Sequence, residues 1–496
     1  MSTSASTGQL FAGIDLGTSA CKLVLVDSRR RQQLSTSAAY PTQYHADGGC
    51  TQQPQDWLRA VGRVFREVPP AAARSIQALA VTAPAHVVVL ADGGGEPLSP
   101  SLLAWDRRPT TAASDLRSAH GDLIFERTWV TLTAGWCLAQ LRWLKPELGA
   151  AWSKIACVLP QKDYVRYALT GTAATDPSDA AGTALYDPRR GRWADELLAL
   201  VDLRSSQLPP IMPALEVAGH VSRSGARRTG LRAGVPVFVG ATDTAVELLS
   251  LGLRHTGTMI KIASTGTVVR VESTARPDRL LMTYPHAVAD HWYRVAATNF
   301  AAQARAWTAR LLGIDVSSPA GVAAFDRLAR RAPAGSHELL FLPFLAGERT
   351  PYWDSQLRGA FLGLAARHGP AELARATLEG VAFSLRACRD AVGTDETKAA
   401  AFLSGGGLQS QLWRKILVSA LGAAATLSTP HGPGVGAAQL ARSALKAQGA
   451  PPPPAGRRNL VVNPDADWAT TYDQLFPLYR EAAAAITGIS HRLELL

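Results

Sequence analysis

Gly13-Ile14-Asp15-Leu16-Gly17-Thr18-Ser19 stands near the start of the chain, and Ser264-Thr265-Gly266-Thr267 lies just past its middle. Apolar, β-branched runs flank both: Leu23 to Val26 after the first, Met259 to Ile262 and Val268 to Val271 around the second. Each stretch therefore reads as a β-hairpin with a tip of Gly, Thr and Ser. A tight turn without bulky side chains exposes backbone N–H groups, and hydroxyls add donors beside them, which suits phosphate oxygens. Between the hairpins, the strand Val235 to Val239 runs into Gly240-Ala241-Thr242-Asp243-Thr244 and then an apolar helical run, Ala245 to Leu253. That places Asp243 near a helix N-terminus, beyond the carboxyl end of a strand. Two phosphate cradles with an acid between them predict a phosphoryl-transfer cleft, and two hairpins of one composition predict a module used twice.

The bulk properties set the frame. A chain of 496 residues exceeds what one core usually serves, so two domains of similar size are expected, divided at 1–245 and 246–496. The formal charge of +11 comes mostly from arginines scattered in pairs such as Arg227-Arg228 and Arg330-Arg331, without a basic block interleaved with aromatics. That reads as a solvated surface able to attract anionic substrates, with no nucleic-acid partner expected. The five cysteines (Cys21, Cys50, Cys137, Cys157 and Cys388) are odd in number and lack metal-ligand spacing, which argues against a disulfide framework or a zinc site. A reducing cytoplasm is the expected compartment. Met1 to Gln9 has neither a basic start nor an apolar stretch and reads as a frayed tail; no run approaches a membrane span.

Strand-like and helical runs alternate, which favours an α/β architecture. The first half carries a hairpin over Phe11 to Asp27, strands at Ile76 to Val81 and Val87 to Leu90, and helices over Leu138 to Leu148 and Lys162 to Leu169. The second half carries a hairpin over Met259 to Val271, strands at Leu339 to Leu342 and Ala400 to Leu403, and a helix from Pro370 to Asp390. That helix has Pro in its first turn, and Leu373, Thr377, Val381, Leu385 and Cys388 recur at helical spacing, so one apolar face should pack on a sheet. Pro451 to Gly456 reads as a linker. Beyond it, Tyr472, Phe476 and Tyr479 predict a last helix, packed back on the N-terminal domain and kinked or divided at Pro477. Apart from the hairpins, no repeat is visible.

The chain contains no Gly-Lys dipeptide, which excludes a Walker A loop, and no G-x-G-x-x-G follows a strand. Without a P-loop lysine, neutralising a triphosphate should rest on Mg²⁺ and backbone donors, with Asp15 placed to hold the metal through water. Leu403-Ser404-Gly405-Gly406-Gly407 ends a strand ahead of the helical run Gln411 to Leu421, and its glycines would let a flat ring such as adenine approach the backbone.

Together these motifs resemble the FGGY carbohydrate kinases of the actin-like ATPase superfold, and among them the xylulokinase-like members. Gly359-Ala360-Phe361-Leu362-Gly363-Leu364 followed by Glu372 to Gly380 looks like the family's C-terminal signature. Lys162-Asp163-Tyr164, Ser178 to Thr183 and Gly347-Glu348-Arg349-Thr350-Pro351 add to the likeness, which runs from about Phe11 to about Leu478. The resemblance implies two ribonuclease-H-like domains flanking a central cleft, sugar on the N-terminal side and ATP on the C-terminal side. It makes Asp243 the catalytic base that takes a proton from a sugar hydroxyl, and Asp15 with Asp243 the Mg²⁺ carboxylates. It assigns Gly17, Thr18, Ser19, Thr265, Gly266 and Thr267 to the phosphates, and Gly406, Gly407 and Gln411 to adenosine. The sugar contacts implied are Ala85, His86, Trp105, Asp106, Trp136, Asp243 and Thr244.

This chain departs from the xylulokinase pattern mainly on the sugar side. Ala85 stands where Met is usual, Thr244 where Asn follows the catalytic Asp, Gln140 where Lys is usual, and Cys50-Thr51-Gln52-Gln53 replaces Trp-Ser-Glu-Gln. A hydrogen-bonding site discriminates strongly when its groups change. The expectation is an ATP- and Mg²⁺-dependent kinase of a ketopentose, D-xylulose first, with domain closure. Another ketose or polyol, such as ribulose, erythritol or a modified sugar, stays open as acceptor; a silent sugar-binding regulator or a chaperone-like ATPase fits less well. The partners expected are the sugar and ATP, with no membrane, and a homodimer is left open.

Overall fold

The computed structural model describes residues 8–29, 31–393, 401–429, 431–447 and 458–494. The expected linker at 451–456 and most of the Met1–Gln9 tail lie outside them. The N-terminal half builds a mixed sheet from β1 (Leu10–Leu16), β2 (Ala20–Asp27), β3 (Gln32–Ala39), β4 (Ile76–Thr82), β5 (Val217–His220) and β6 (Pro236–Phe238), in the order β5-β6-β4-β1-β2-β3. Its helices include α1 (Cys137–Leu148), α2 (Gln161–Thr170), α3 (Pro177–Ala181) and α4 (Asp243–Leu251). The second half builds another sheet from β7 (Gly257–Ile262), β8 (Gly266–Glu272), β9 (Met282–Pro285), β10 (Trp292–Thr298), β11 (Ala401–Ser404), β12 (Ala425–Thr429) and β13 (Arg458–Val462), in the order β13-β12-β11-β7-β8-β10-β9. With it come α5 (Pro370–Val392), α6 (Gln411–Leu421), α7 (Pro433–Ala447) and α8 (Ala466–Glu494).

The repeat reaches well beyond the hairpins. In the first sheet β5-β6 is antiparallel, β6-β4 and β4-β1 are parallel, and β1-β2 and β2-β3 are antiparallel. The second sheet repeats that sequence of pairings through β13-β12, β12-β11, β11-β7, β7-β8 and β8-β10. In both, the central parallel strands end at the same edge, where open α/β sheets place their ligands.

Between the sheets, α7 from the second half packs on β1, β4 and α4 of the first. Glycine makes this possible: a Cβ on Gly13 would lie 2.0 Å from the Gly434 carbonyl oxygen, so any side chain on β1 would push the helix off. One apolar cluster accordingly runs from Phe11 and Val24 through Val246 and Ala438 to Met259 and Tyr293.

Three expectations for the C-terminal helices are corrected. The last helix, α8, is not divided at Pro477 but continues through it as one helix, without that residue's amide donor. It packs on α6, α5 and the strand Leu340–Leu342 of its own half instead of returning to the N-terminal domain. Its aromatic stripe explains this, because Tyr472, Phe476 and Tyr479 surround Phe383 and Tyr472 Oη donates to Glu379 Oε1 at 2.7 Å. Helix α5, expected to be amphipathic, is buried almost all round from Ala374 to Leu385. Its polar Arg375 and Glu379 are accommodated by pairing with each other at 2.7 Å.

Candidate active site

Both hairpin tips are three-residue loops, but they are built differently. Gly17-Thr18-Ser19 joins β1 to β2, and its carbonyls face inward: Tyr40 Oη donates to Gly17, Gln52 Nε2 to Thr18 at 2.9 Å, and the Tyr40 amide to Ser19 at 3.1 Å. The Thr18 and Ser19 residues stay exposed. In the second hairpin the tip is Ala263-Ser264-Thr265, and Gly266 and Thr267 already belong to β8. Gly266 serves packing, since a Cβ there would lie 2.7 Å from Thr298 Cγ2 and 3.0 Å from Leu385 Cδ2. The glycine triplet divides in the same way. Gly405 and Gly407 press on Ile262, at 2.3 Å for a built Cβ, while Gly406 is exposed with open space where its Cβ would be. Gln411, at the start of α6, is exposed beside it.

Asp15, next to last in β1, is paired in register with Lys22 of β2 and Thr82 of β4. Burial first, and then the charge of Asp243, push its carboxyl up to about 7. Asp243 is the first residue of α4, not its cap, and its amide donates to the Ala83 carbonyl at 2.9 Å. Its Oδ1 accepts from the Thr244 amide at 2.6 Å and the Thr244 hydroxyl at 3.2 Å. Burial raises its carboxyl above the usual range, opposed chiefly by Lys261. Thr244, expected to read the sugar, thus reaches Asp243 itself.

Beside these two acids lies a cation, Lys261. Its ammonium donates to Glu247 Oε2 at 2.7 Å and is held charged against burial by Glu247, Asp243 and Asp15. Glu247 is buried and takes a second hydrogen bond from Ser404. The lysine was legible as a cation interrupting the apolar run Met259 to Ile262. Glu247 carries the same mark, a lone acid in the apolar run Ala245 to Leu253.

The loop carrying Asp243 is gripped from behind by a buried charge cluster. Lys162 lies 2.6, 3.0 and 3.4 Å from Asp163, Asp176 and Asp179, and Arg166 lies 2.6 Å from Asp163. Burial pushes the Asp179 carboxyl well above its ordinary range. Arg166 donates to the Val239 carbonyl at 2.7 Å, and Ser178, itself donating to Asp176 at 2.5 Å, accepts from the Thr242 amide at 3.1 Å.

On the sugar side, His86 has a left-handed backbone (φ 71°), and its ring stands edge-on to Trp136 at 4.3 Å. Its Nε2 is 3.0 Å from Tyr284 Oη of the second sheet. Burial and the Arg349 guanidinium push its pKa down to about 4, so the imidazole is neutral. Gln140 donates to the His86 and Gly135 carbonyls at 3.4 and 3.3 Å and so fixes the loop. Ala85 packs where a Cβ on Gly182 would meet it at 2.8 Å. Trp105 is 45% exposed. Asp106, expected at the sugar, is spent on structure: it accepts from the Cys50 amide at 2.8 Å, the Arg108 amide at 3.0 Å, and both Arg108 Nε (3.0 Å) and Nη2 (2.6 Å). Sequence reasoning missed Tyr284, Tyr293, Lys261 and Glu247.

Two like sheets, each with a hairpin at its centre, one bearing Asp15 and the other Lys261, define an actin-like ATPase fold. Residues 10–250 match the N-terminal domain, and residues 259–445 the C-terminal domain, of the FGGY family of carbohydrate kinases. The chain belongs to that family: it is a phosphotransferase that takes a sugar as acceptor and ATP as donor. It is 30% identical over 448 residues to the xylulose kinase of Escherichia coli K12, covering 88% of this chain and 90% of that one. The gluconokinase of Bacillus subtilis is 26% identical, covering 82% and 81%. The structure of a xylulose kinase from Rhodospirillum rubrum superposes with a TM-score of 0.85 at 27% identity, covering 97% of this chain and all of that one. Among the described residues, no helix is long and apolar enough to cross a membrane.

Proposed function

We propose that the enzyme phosphorylates D-xylulose, converting it with ATP to D-xylulose 5-phosphate and ADP. The carrying observation is the aromatic cluster of His86, Trp136 and Tyr284, with Asp243 as the base nearby, in a chain whose likeness to xylulose kinases spans both halves. Asp243 Oδ2 is left free to accept the proton of the attacking hydroxyl as the oxygen–phosphorus bond forms and ADP leaves. Oδ1 stays tied to Thr244, which fixes the carboxylate plane. Lys261 offsets the phosphate charge from the C-terminal side.

The residues fit Mg²⁺. Among the described residues no group of three or more His, Cys, Asp or Glu is placed for a metal, but Mg²⁺ in kinases takes one or two carboxylates plus water and phosphate oxygens. Asp15 and Asp243 are two such carboxylates, held close enough to raise Asp15. The ion would supply positive charge to the phosphates.

A second reading has its own support. The Arg349 guanidinium lies near His86, its Nε is buried without a partner, and no carboxylate lies within ion-pair distance of it among the described residues. A guanidinium beside His86 with no carboxylate in ion-pair range among the described residues, its Nη2 donating to the Thr298 carbonyl at 3.2 Å, favours an aldonate such as gluconate. ADP release measured over ketoses, polyols and aldonates with Mg-ATP separates the two. Turnover led by D-xylulose supports the first reading, and turnover led by gluconate replaces it with the second.

A further inference from the structure

Tyr284 and Tyr293 face each other on neighbouring strands β9 and β10 and are direct partners in register. Their rings stack at 5.3 Å with an interplanar angle of 18°, and both are buried. Although they belong to the ATP-side sheet, each hydroxyl reaches across to the other half of the molecule. Tyr284 Oη meets His86 Nε2 at 3.0 Å, and its ring lies 6.3 Å from Trp136. Tyr293 Oη meets Thr242 Oγ1 at 3.2 Å, one residue before the base. Thr242 is held from the other side by Ser178.

We propose that Tyr284 and Tyr293 are positioning residues through which the ATP-side sheet sets both halves of the acceptor site, Tyr284 acting on His86 and Tyr293 on the Thr242-Asp243 turn. The stacked rings are one rigid unit, so the two contacts cannot drift independently. His86 needs such a partner, since its left-handed backbone is unfavourable for a residue with a side chain and a buried imidazole left without a hydrogen bond is costly. Thr242 stands at the junction of a strand and a helix, where a small rotation would swing the carboxylate of Asp243 off the acceptor hydroxyl. The two hydroxyls therefore have separable effects, one on sugar binding and one on the chemical step.

This inference rests on the sugar-kinase reading of the cleft, and its test is arranged to stand apart from the choice of acceptor. Whichever acceptor leads the panel is used throughout, so a failure of D-xylulose as substrate does not touch the result. In the full chain, Tyr284→Phe should weaken sugar binding, read by calorimetry without nucleotide, about 3- to 10-fold, the size of one lost hydrogen bond. KM for ATP should stay unchanged. Tyr293→Phe should lower kcat by a similar factor with the sugar Kd unchanged. In a His86→Ala background, Tyr284→Phe should have no further effect on sugar binding. A Tyr284→Phe enzyme with unaltered sugar Kd, an undiminished effect in the His86→Ala background, or a Tyr293→Phe enzyme that loses only thermal stability would overturn the proposal. If either Phe variant fails to fold, Thr242→Val and His86→Asn probe the same two contacts from the opposite side, and the same split between kcat and Kd is required of them.

Discussion

The two central hairpins occupy equivalent places in two equivalent sheets, yet carry opposite charges. Asp15 is next to last in β1, beside Thr82 at the end of the parallel neighbour β4. Lys261 is next to last in β7, beside Ser404 at the end of the parallel neighbour β11. Repetition supplied the geometry and substitution supplied the polarity. A cleft with an acid on one wall and a base-strength cation on the other can hold a metal on its N-terminal side while meeting phosphate oxygens directly on its C-terminal side. Two copies of either wall would repel one of those ligands.

The contrast can be broken at its centre first. Asp243→Ala should lower kcat by about 10²–10⁴-fold while leaving ATP binding measurable, because the base acts in the chemical step; near-normal turnover would remove Asp243 from that role. Lys261→Met comes next. It should reduce kcat/KM for ATP by roughly 10²-fold, the scale of one lost charge stabiliser, with steady-state kinetics as the check. It should also lower the melting temperature, because Glu247 is left buried without its cation.

Asp15 gives a pH test of the same comparison. Its carboxyl sits at about 7 in the folded protein against 3.8 as the ordinary value, so the folded chain binds this proton more tightly than the unfolded chain. The ligand-free protein should therefore lose stability as pH climbs from about 4 to about 7, and change little above that on this account. Asp15→Asn removes the effect and should stabilise the ligand-free protein above pH 7 by up to ~4 kcal/mol, while impairing turnover. Denaturant unfolding at pH 5 and pH 8 checks the sign. Mg-ATP binding near pH 6.5 should release a proton in the wild type and not in Asp15→Asn, visible as buffer-dependent calorimetric heats.

The smallest effects distinguish glycines that look alike in sequence. Gly406→Ala meets open space and should leave stability within about 0.5 kcal/mol. Gly407→Ala drives a Cβ onto Ile262 Cγ2 and should cost about 1–3 kcal/mol in unfolding experiments.

Much of this was written locally. Alternating patterns and glycine turns are short-range features, so the sequence by itself determined the α/β class, the paired hairpins, α6 at its observed bounds of Gln411–Leu421 and the place of Asp243 after a strand. Asp15 was visible as a charge in an apolar run; Lys261 carries the same local mark but went unread within Met259 to Ile262. What only the tertiary structure decided lies between segments far apart in the chain: the whole-sheet repeat, whose pairing order no pattern of residues records; α7 crossing to β1 through Gly13; and α8 staying with α6. The withdrawal of Asp106 into a bond with Arg108, the Lys261–Glu247 pair and the reach of Tyr284 to His86 belong with these. A side chain's chemistry is fixed by its own atoms, but its partner, its burial and so its charge state are fixed by what the fold brings alongside it.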